Sequence, residues 1–166
     1  KRPIERDYLM TQPALKQNPD IQFIDLAAQQ ERIKTEIDTA ISNVLSHGKY
    51  IMGPEVKELE NVLSSFLNVK HTVSCSSGTD ALVMALMALD VKAGDAVLVP
   101  SFTFAATAEA VAILGAIPVF IDIDERHYNI TLESVQDAYS AAQNEGLNVV
   151  GLISVDLFGL CADYEG

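Results

Sequence analysis

Along the chain, Ile33, Ile37, Ile41, Val44 and Leu45 return at helical spacing with Glu31, Arg32, Lys34 and Glu36 between them, and His47-Gly48 closes the run. This predicts an amphipathic surface helix beginning near Ala28. Gly53-Pro54 opens a second helix, with proline in the first turn, Glu55 and Glu58 near its positive end, and Val56, Leu59, Val62, Leu63 and Phe66 facing inward. The connecting segment over 48–53 carries Tyr50, Ile51 and Met52 in exposed positions, as a loop that meets a partner does, and as a plain helix connection also can. Beyond it the pattern changes to strands over 71–75, 96–100, 117–123 and 149–155, alternating with helices over 78–89, 104–114 and 132–142. Gly94-Asp95 and Gly115-Ala116 mark helix-to-strand turns. Repeated strand-helix-strand units predict an α/β fold, a three-layer sandwich whose mainly parallel sheet is covered by helices on both faces. Ligands of such sheets sit beyond the carboxyl ends of the strands. Residues 1–20, with Pro3, Pro13 and Pro19 and no sustained period, read as a tail or linker. The expected organisation is therefore a tail over 1–20, an N-terminal helical segment over 21–70 and a sheet domain over 71–166.

The run Ala81-Leu82-Val83-Met84-Ala85-Leu86-Met87-Ala88-Leu89 is apolar on every side, so its helix is expected to be the most buried one. It is entered through Ser76-Ser77-Gly78-Thr79-Asp80. The first backbone N–H groups of a helix have no intrahelical partner and carry the positive end of its dipole, which makes this end an anion site. Gly78 allows close approach to the backbone, and Ser76, Ser77 and Thr79 offer hydroxyl donors. A serine-capped core helix with nothing bound accounts for the same residues.

Of 166 residues, 49% are apolar and 20% charged, a composition that forms a core and fits one domain of ordinary size. The net charge of −12 opposes a nucleic-acid partner and leaves any phosphate to local donors. Cys75 and Cys161 stand far apart with no metal-ligand spacing, which fits a reducing compartment. No apolar run approaches the length of a membrane span, and the polar beginning lacks a signal-peptide core, so the expected location is cytoplasmic, with no membrane partner.

The segment Pro100-Ser101-Phe102-Thr103-Phe104 places two aromatics and hydroxyls at a strand end, where a ring can stack on a flat ligand or plug a core. Asp122 and Asp124 could form a paired-carboxylate or metal site, but such a pair more often ends a strand and caps the next turn. His47, His71 and His127 show no spacing relation, and the fingerprints of dinucleotide and nucleoside-triphosphate loops are missing. No metal site is expected.

SSGTDAL, then VPSFTFAATAEAV, GAIPVFIDID and VDLFGLCADYEG, together with the leading FIDLAAQQERIKTEIDTAISNVLSHGKYIMGPEVKELE, resemble the DegT and StrS family of sugar aminotransferases, pyridoxal-phosphate enzymes of the aspartate aminotransferase fold. The resemblance covers roughly residues 21–166, and the nearest likeness is to enzymes that aminate a 3-keto UDP-sugar for surface polysaccharide synthesis. It implies the large domain of the fold type I pyridoxal-phosphate transferases. It also implies that Ser77, Gly78 and Thr79 bind the phosphate of pyridoxal 5'-phosphate, that Phe104 stacks on its ring and that Phe102 packs. Many relatives carry His at the position of Asp156, which implies a role there in positioning cofactor or substrate, and the loop over 48–53 would lie near the interface of a homodimer. Members are more than twice as long as this chain, and their Schiff-base lysine and pyridinium-binding aspartate lie beyond residue 166. None of the seven lysines here matches the catalytic motif, so the resemblance implies the N-terminal part of an enzyme, with no catalytic residue of its own. The expected reaction moves an amino group, with glutamate as donor, to a keto nucleotide-sugar. A dehydratase or cyclising synthase of the same fold, and a non-catalytic cofactor-binding or regulatory module, are the alternatives.

Overall fold

A computed structural model gives the structure of the protein, described over residues 23–164. The expected tail over 1–20 lies outside the described residues. The chain divides into two compact units between Thr72 and Val73.

In the first unit, helix α1 spans Leu26–His47 and α2 spans Pro54–Leu67. The Asp25 side chain accepts the Ala28 N–H at 2.8 Å and so starts α1 two residues earlier than the apolar spacing alone suggests. Gly48, at φ 67°, ends it by donating its N–H to the Val44 carbonyl. The two helix ends are joined through His47, whose Nε2 lies 2.8 Å from a Glu55 carboxylate oxygen. His47 Nδ1 accepts the Lys49 N–H, which leaves Nε2 to donate. Gly53 closes the loop because a Cβ there would lie 2.4 Å from the Lys49 carbonyl oxygen. Tyr50, Ile51 and Met52 between them are exposed. The apolar stripe expected to face inward on α2 is only half-buried at Val56 and Leu63 and open at Leu59, Val62 and Phe66. An amphipathic face is buried only against a facing element, and none of the described residues of this unit supplies one.

The second unit holds helices α3 (Gly78–Ala88), α4 (Ala106–Ile113) and α5 (Leu132–Asn144) and strands β1 (Asp95–Pro100), β2 (Ile117–Ile121) and β3 (Asn148–Leu152). The strands form a parallel sheet in the order β2-β1-β3. β1 is the central strand and is buried on both faces from Ala96 to Pro100, as its uninterrupted apolar sequence requires. Pro118, which has no N–H to give, sits on the edge strand β2. Val150 is an extra residue in the pairing of β1 with β3. Val97 and Val99 pack with Leu86, Ala110, Val111 and Ala116 in the core. The alternation of a strand turns Ala96 and Leu98 to the opposite face, and α5 contacts all three strands.

Two expectations are corrected here. The segment over 71–75 is not a strand: it makes no ladder pairing among the described residues, and a strand exists only through its partner. Helix α3 is not the most buried helix. It buries Leu86 and packs Leu82 and Val83 on the core, while Met84 and Met87 stand exposed; α4, with small residues, buries Ala106, Thr107, Ala110 and Val111. Packing on α4 and on the core residues Val97 and Val99 of β1 covers one stripe of α3, and the all-apolar sequence extends beyond that stripe.

Candidate functional site

Ser77 is extended, at φ −161° and ψ 166°, and its side-chain oxygen accepts the Asp80 N–H at 3.1 Å. The first intrahelical bond of α3 runs from the Ala81 N–H to the Ser77 carbonyl at 3.0 Å. The N–H groups of Gly78 and Thr79 therefore point out of the helix end without a partner among the described residues. No atom lies within 4 Å of where a Cβ on Gly78 would sit, so the front of the helix end is open. The Thr79 hydroxyl is half-buried and has no partner among the described residues. Ser76, offered by the sequence as a further donor, instead gives its hydroxyl proton to the Asp80 carboxylate. Asp80 itself occupies part of the positive end of the helix, which favours an acid in the first turn.

This helix end borders a cleft of about 520 Å³ lined by Gly78, Thr79, Thr103, Phe104, Thr107 and Asp156 among others. Three of the four expected site residues, Gly78, Thr79 and Phe104, are brought together there, and Ser77 adjoins them as the cap of α3. Phe104 precedes α4, which starts at Ala106 and not at 104 as expected, and the residue is 78% exposed. The hydroxyls of Thr103 and Thr107 lie 3.0 Å apart. Open backbone N–H groups beside an exposed aromatic face suit a ligand with a phosphate and a flat ring, and the residues present fit pyridoxal phosphate in that sense. A larger cavity of about 790 Å³ in the first unit, lined by Lys57, Asn61, Ser64, Asn68 and His71, has neither a free helix N-terminus nor an aromatic wall.

Other candidates resolve into local structure. The Asp124 carboxylate accepts the N–H groups of Arg126 and His127 and lies 2.8 Å from His127 Nδ1. These backbone bonds, that to Arg126 first, hold its carboxyl below the usual range. Among the described residues no group of three or more His, Cys, Asp or Glu is placed to hold a metal ion. No helix of the described residues is long and apolar enough to cross a membrane. Phe102 is not a core plug: it is half exposed and meets Tyr128 and Phe158 at ring-centroid distances of 5.7 and 6.4 Å.

For Asp156 the sequence offered only the role in positioning cofactor or substrate that the resemblance implies, and it missed Tyr164 and Ala162. One Asp156 carboxylate oxygen accepts from the Tyr164 hydroxyl at 2.7 Å and from the Ala162 N–H at 3.0 Å. The Tyr164 bond first, then that of Ala162, lowers the carboxyl from its ordinary value. The spacing 156/162/164 has no period of its own, so only the turn over Leu157–Gly159 brings these groups together.

The sequence profile of the DegT/DnrJ/EryC1/StrS aminotransferase family matches residues 31–166. A curated relative, the UDP-2-acetamido-2-deoxy-3-oxo-D-glucuronate aminotransferase of Pseudomonas aeruginosa, is 49% identical over 87% of this chain and 39% of its own length. The UDP-N-acetyl-3-dehydro-alpha-D-glucosamine 3-aminotransferase of Acidithiobacillus ferrooxidans is 41% identical over 92% of this chain and 40% of its own. A solved aminotransferase of the same family from Brucella abortus matches with a TM-score of 0.83 and 52% identity, covering 87% of this chain and 39% of that one. NtdA from Bacillus subtilis, solved with bound cofactor PMP, matches with a TM-score of 0.70 and 30% identity, covering 80% of this chain and 29% of that one. The chain thus spans about two-fifths of the length of the curated relatives it matches.

Proposed function

The chain belongs to the DegT/DnrJ/EryC1/StrS aminotransferase family, and we propose that the full-length protein is a pyridoxal-phosphate-dependent aminotransferase that moves an amino group from glutamate to a UDP-linked keto-sugar. In this reading the second unit is the first part of the cofactor-binding large domain. The observation that carries it is the joining, in one cleft, of the open N-terminus of α3 and the exposed Phe104 ring. Gly78 and Thr79 would hold the cofactor phosphate through their backbone N–H groups, the Thr79 hydroxyl and the Ser77 hydroxyl would each add a donor, and Phe104 would cover one face of the ring. When bound, the cofactor supplies the electron sink for amino transfer, and the protein supplies position and proton transfer. The lysine and the aspartate that complete such a site in the family are not among the residues of this chain.

The names of the two curated relatives support a 3-oxo UDP-sugar as acceptor, and a role in polysaccharide or glycan biosynthesis is what the family resemblance of the sequence motifs implies. The exposed Tyr50, Ile51 and Met52 support a homodimer with this loop at the interface. The acidic balance and the unpaired cysteines support a cytoplasmic enzyme with no nucleic-acid or membrane partner.

The test is incubation of the full-length protein with pyridoxal phosphate, glutamate and UDP-N-acetyl-3-dehydro-α-D-glucosamine. The expected result is one amino sugar formed for each 2-oxoglutarate, read by mass spectrometry. Loss of water from the sugar without nitrogen gain would favour the dehydratase, and cofactor binding with no turnover would favour the non-catalytic module.

A further inference from the structure

Asp156 is the only ionisable side chain that lines the cleft among the described residues, and two structural devices fix it there. The first is a directed set of hydrogen bonds: the Ser154 hydroxyl donates to the Tyr164 oxygen at 3.2 Å, and Tyr164 donates in turn to Asp156 at 2.7 Å, beside the Ala162 N–H at 3.0 Å. The second is the turn just beyond it. Phe158 sits in the left-handed region at φ 56°, and the Gly159 N–H closes back on the Asp156 carbonyl at 3.1 Å. A bulky residue keeps such a conformation only where its surroundings over-determine it, and such residues gather at functional sites. Phe158 is largely exposed, and the rings of Tyr128 and Phe102 meet its ring edge-on or near it at 6.0 and 6.4 Å. Tyr128 is itself left-handed, at φ 60°. The three rings come from the segments after β1, β2 and β3, so the cluster ties the turn after Asp156 to all three carboxyl ends of the sheet.

The bound Tyr164 hydroxyl and Ala162 N–H, with the Cys161 side chain adding a smaller effect, keep the carboxyl ionised, against a smaller opposing effect of burial. The cleft therefore has a donor end at α3 and an anionic acceptor at Asp156. A fixed carboxylate accepts from hydroxyl and amide N–H groups and repels a second carboxylate.

We propose that Asp156 is a specificity residue for the nucleotide-sugar: its carboxylate accepts a hydrogen bond from a hydroxyl or amide donor of an uncharged sugar and disfavours a uronate, with Tyr164 as its positioning residue. The proposal rests on the aminotransferase reading above.

The test uses the full-length protein loaded with pyridoxal phosphate. Its probes are UDP-N-acetylglucosamine and the corresponding uronate, which lack the keto group and bind without reacting. Calorimetry on the wild type is expected to show preference for the uncharged sugar. Asp156→Asn should weaken that sugar about 10- to 100-fold, the loss of a hydrogen bond to a charged group, and should strengthen the uronate, with pyridoxal-phosphate affinity unchanged. Tyr164→Phe keeps the ring and removes the first cause of the lowered carboxyl, so UDP-N-acetylglucosamine binding should fail at a higher pH on the acid side than in wild type. Equal weakening of both sugars by Asp156→Asn, unchanged affinity for both, or an unmoved acid limb in Tyr164→Phe would overturn the proposal. A wild-type protein that binds both sugars but not pyridoxal phosphate would instead overturn the aminotransferase reading itself.

Discussion

The side-chain oxygen of Ser77 accepts the backbone N–H of Asp80 at 3.1 Å, and the same hydroxyl keeps its own proton for a ligand in front of α3. The two roles can be separated. In the full-length protein Ser77→Ala should cost about 0.5–2 kcal/mol of stability through the lost cap. Ser77→Asp keeps a side-chain acceptor of equal rank, so urea unfolding should show stability within a few tenths of a kcal/mol of wild type. Its negative charge would face the phosphate, and pyridoxal-phosphate titration should show binding far weaker than in Ser77→Ala.

Phe104 offers a face and little packing, since its ring is largely exposed. Phe104→Leu should leave stability within about 0.5 kcal/mol of wild type. Cofactor affinity should fall by about 0.5–1.5 kcal/mol, a loss of roughly 2- to 10-fold, and Phe104→Tyr should restore it. An equal loss in Phe104→Tyr would show that the ring is not a stacking surface.

The position of Phe102 and Phe104 at a strand end could be read from the sequence, and the surroundings of Phe102 could not. The alternation of strand and helix placed both at the carboxyl end of β1, and the period of the apolar residues located α1, α2, α4, α5 and the parallel sheet within a few residues. Nothing in that period says that Tyr128 and Phe158, 26 and 56 residues on, adopt left-handed backbones and draw Phe102 into a ring cluster. The segment over 71–75 failed for a related reason: β propensity is local, and a ladder partner is not. Helix α3 shows the opposite limit. Its composition announced burial on all sides, while packing on α4 and the core face of β1 accounts for one stripe only. The Asp156 network was illegible because backbone N–H donors such as that of Ala162 leave no mark on residue type.

Asp95 ties the start of the sheet, accepting the Lys92 N–H at 2.8 Å and the Asn148 side-chain amide at 2.9 Å. The Lys92 bond first, then that of Asn148, lowers its carboxyl from the ordinary 3.8. With a lowered folded value, the unfolded chain binds more protons in that range, so the contribution is complete above 3.8 and is lost as the pH falls through the folded value. Melting curves of wild type and Asp95→Asn should differ at neutral pH and converge as the pH is lowered below 3.8. A difference that stays constant through that range would show that the charge of Asp95 is not what stabilises the turn.

The most direct measurement of the central claim, that the open end of α3 holds a phosphate, is pyridoxal-phosphate binding to wild-type and Thr79→Val full-length protein, with melting monitored in the presence and absence of cofactor. Valine keeps the volume of threonine and removes one donor, and in a first helical turn it changes propensity by only a few tenths of a kcal/mol. A hydrogen bond to a charged group contributes about 1.5–3 kcal/mol, so the dissociation constant should rise about 10- to 100-fold while the cofactor-free melting temperature stays nearly unchanged. An unchanged dissociation constant, with melting lowered equally with and without cofactor, would contradict the account and make Ser77, Gly78 and Thr79 no more than the cap of a helix.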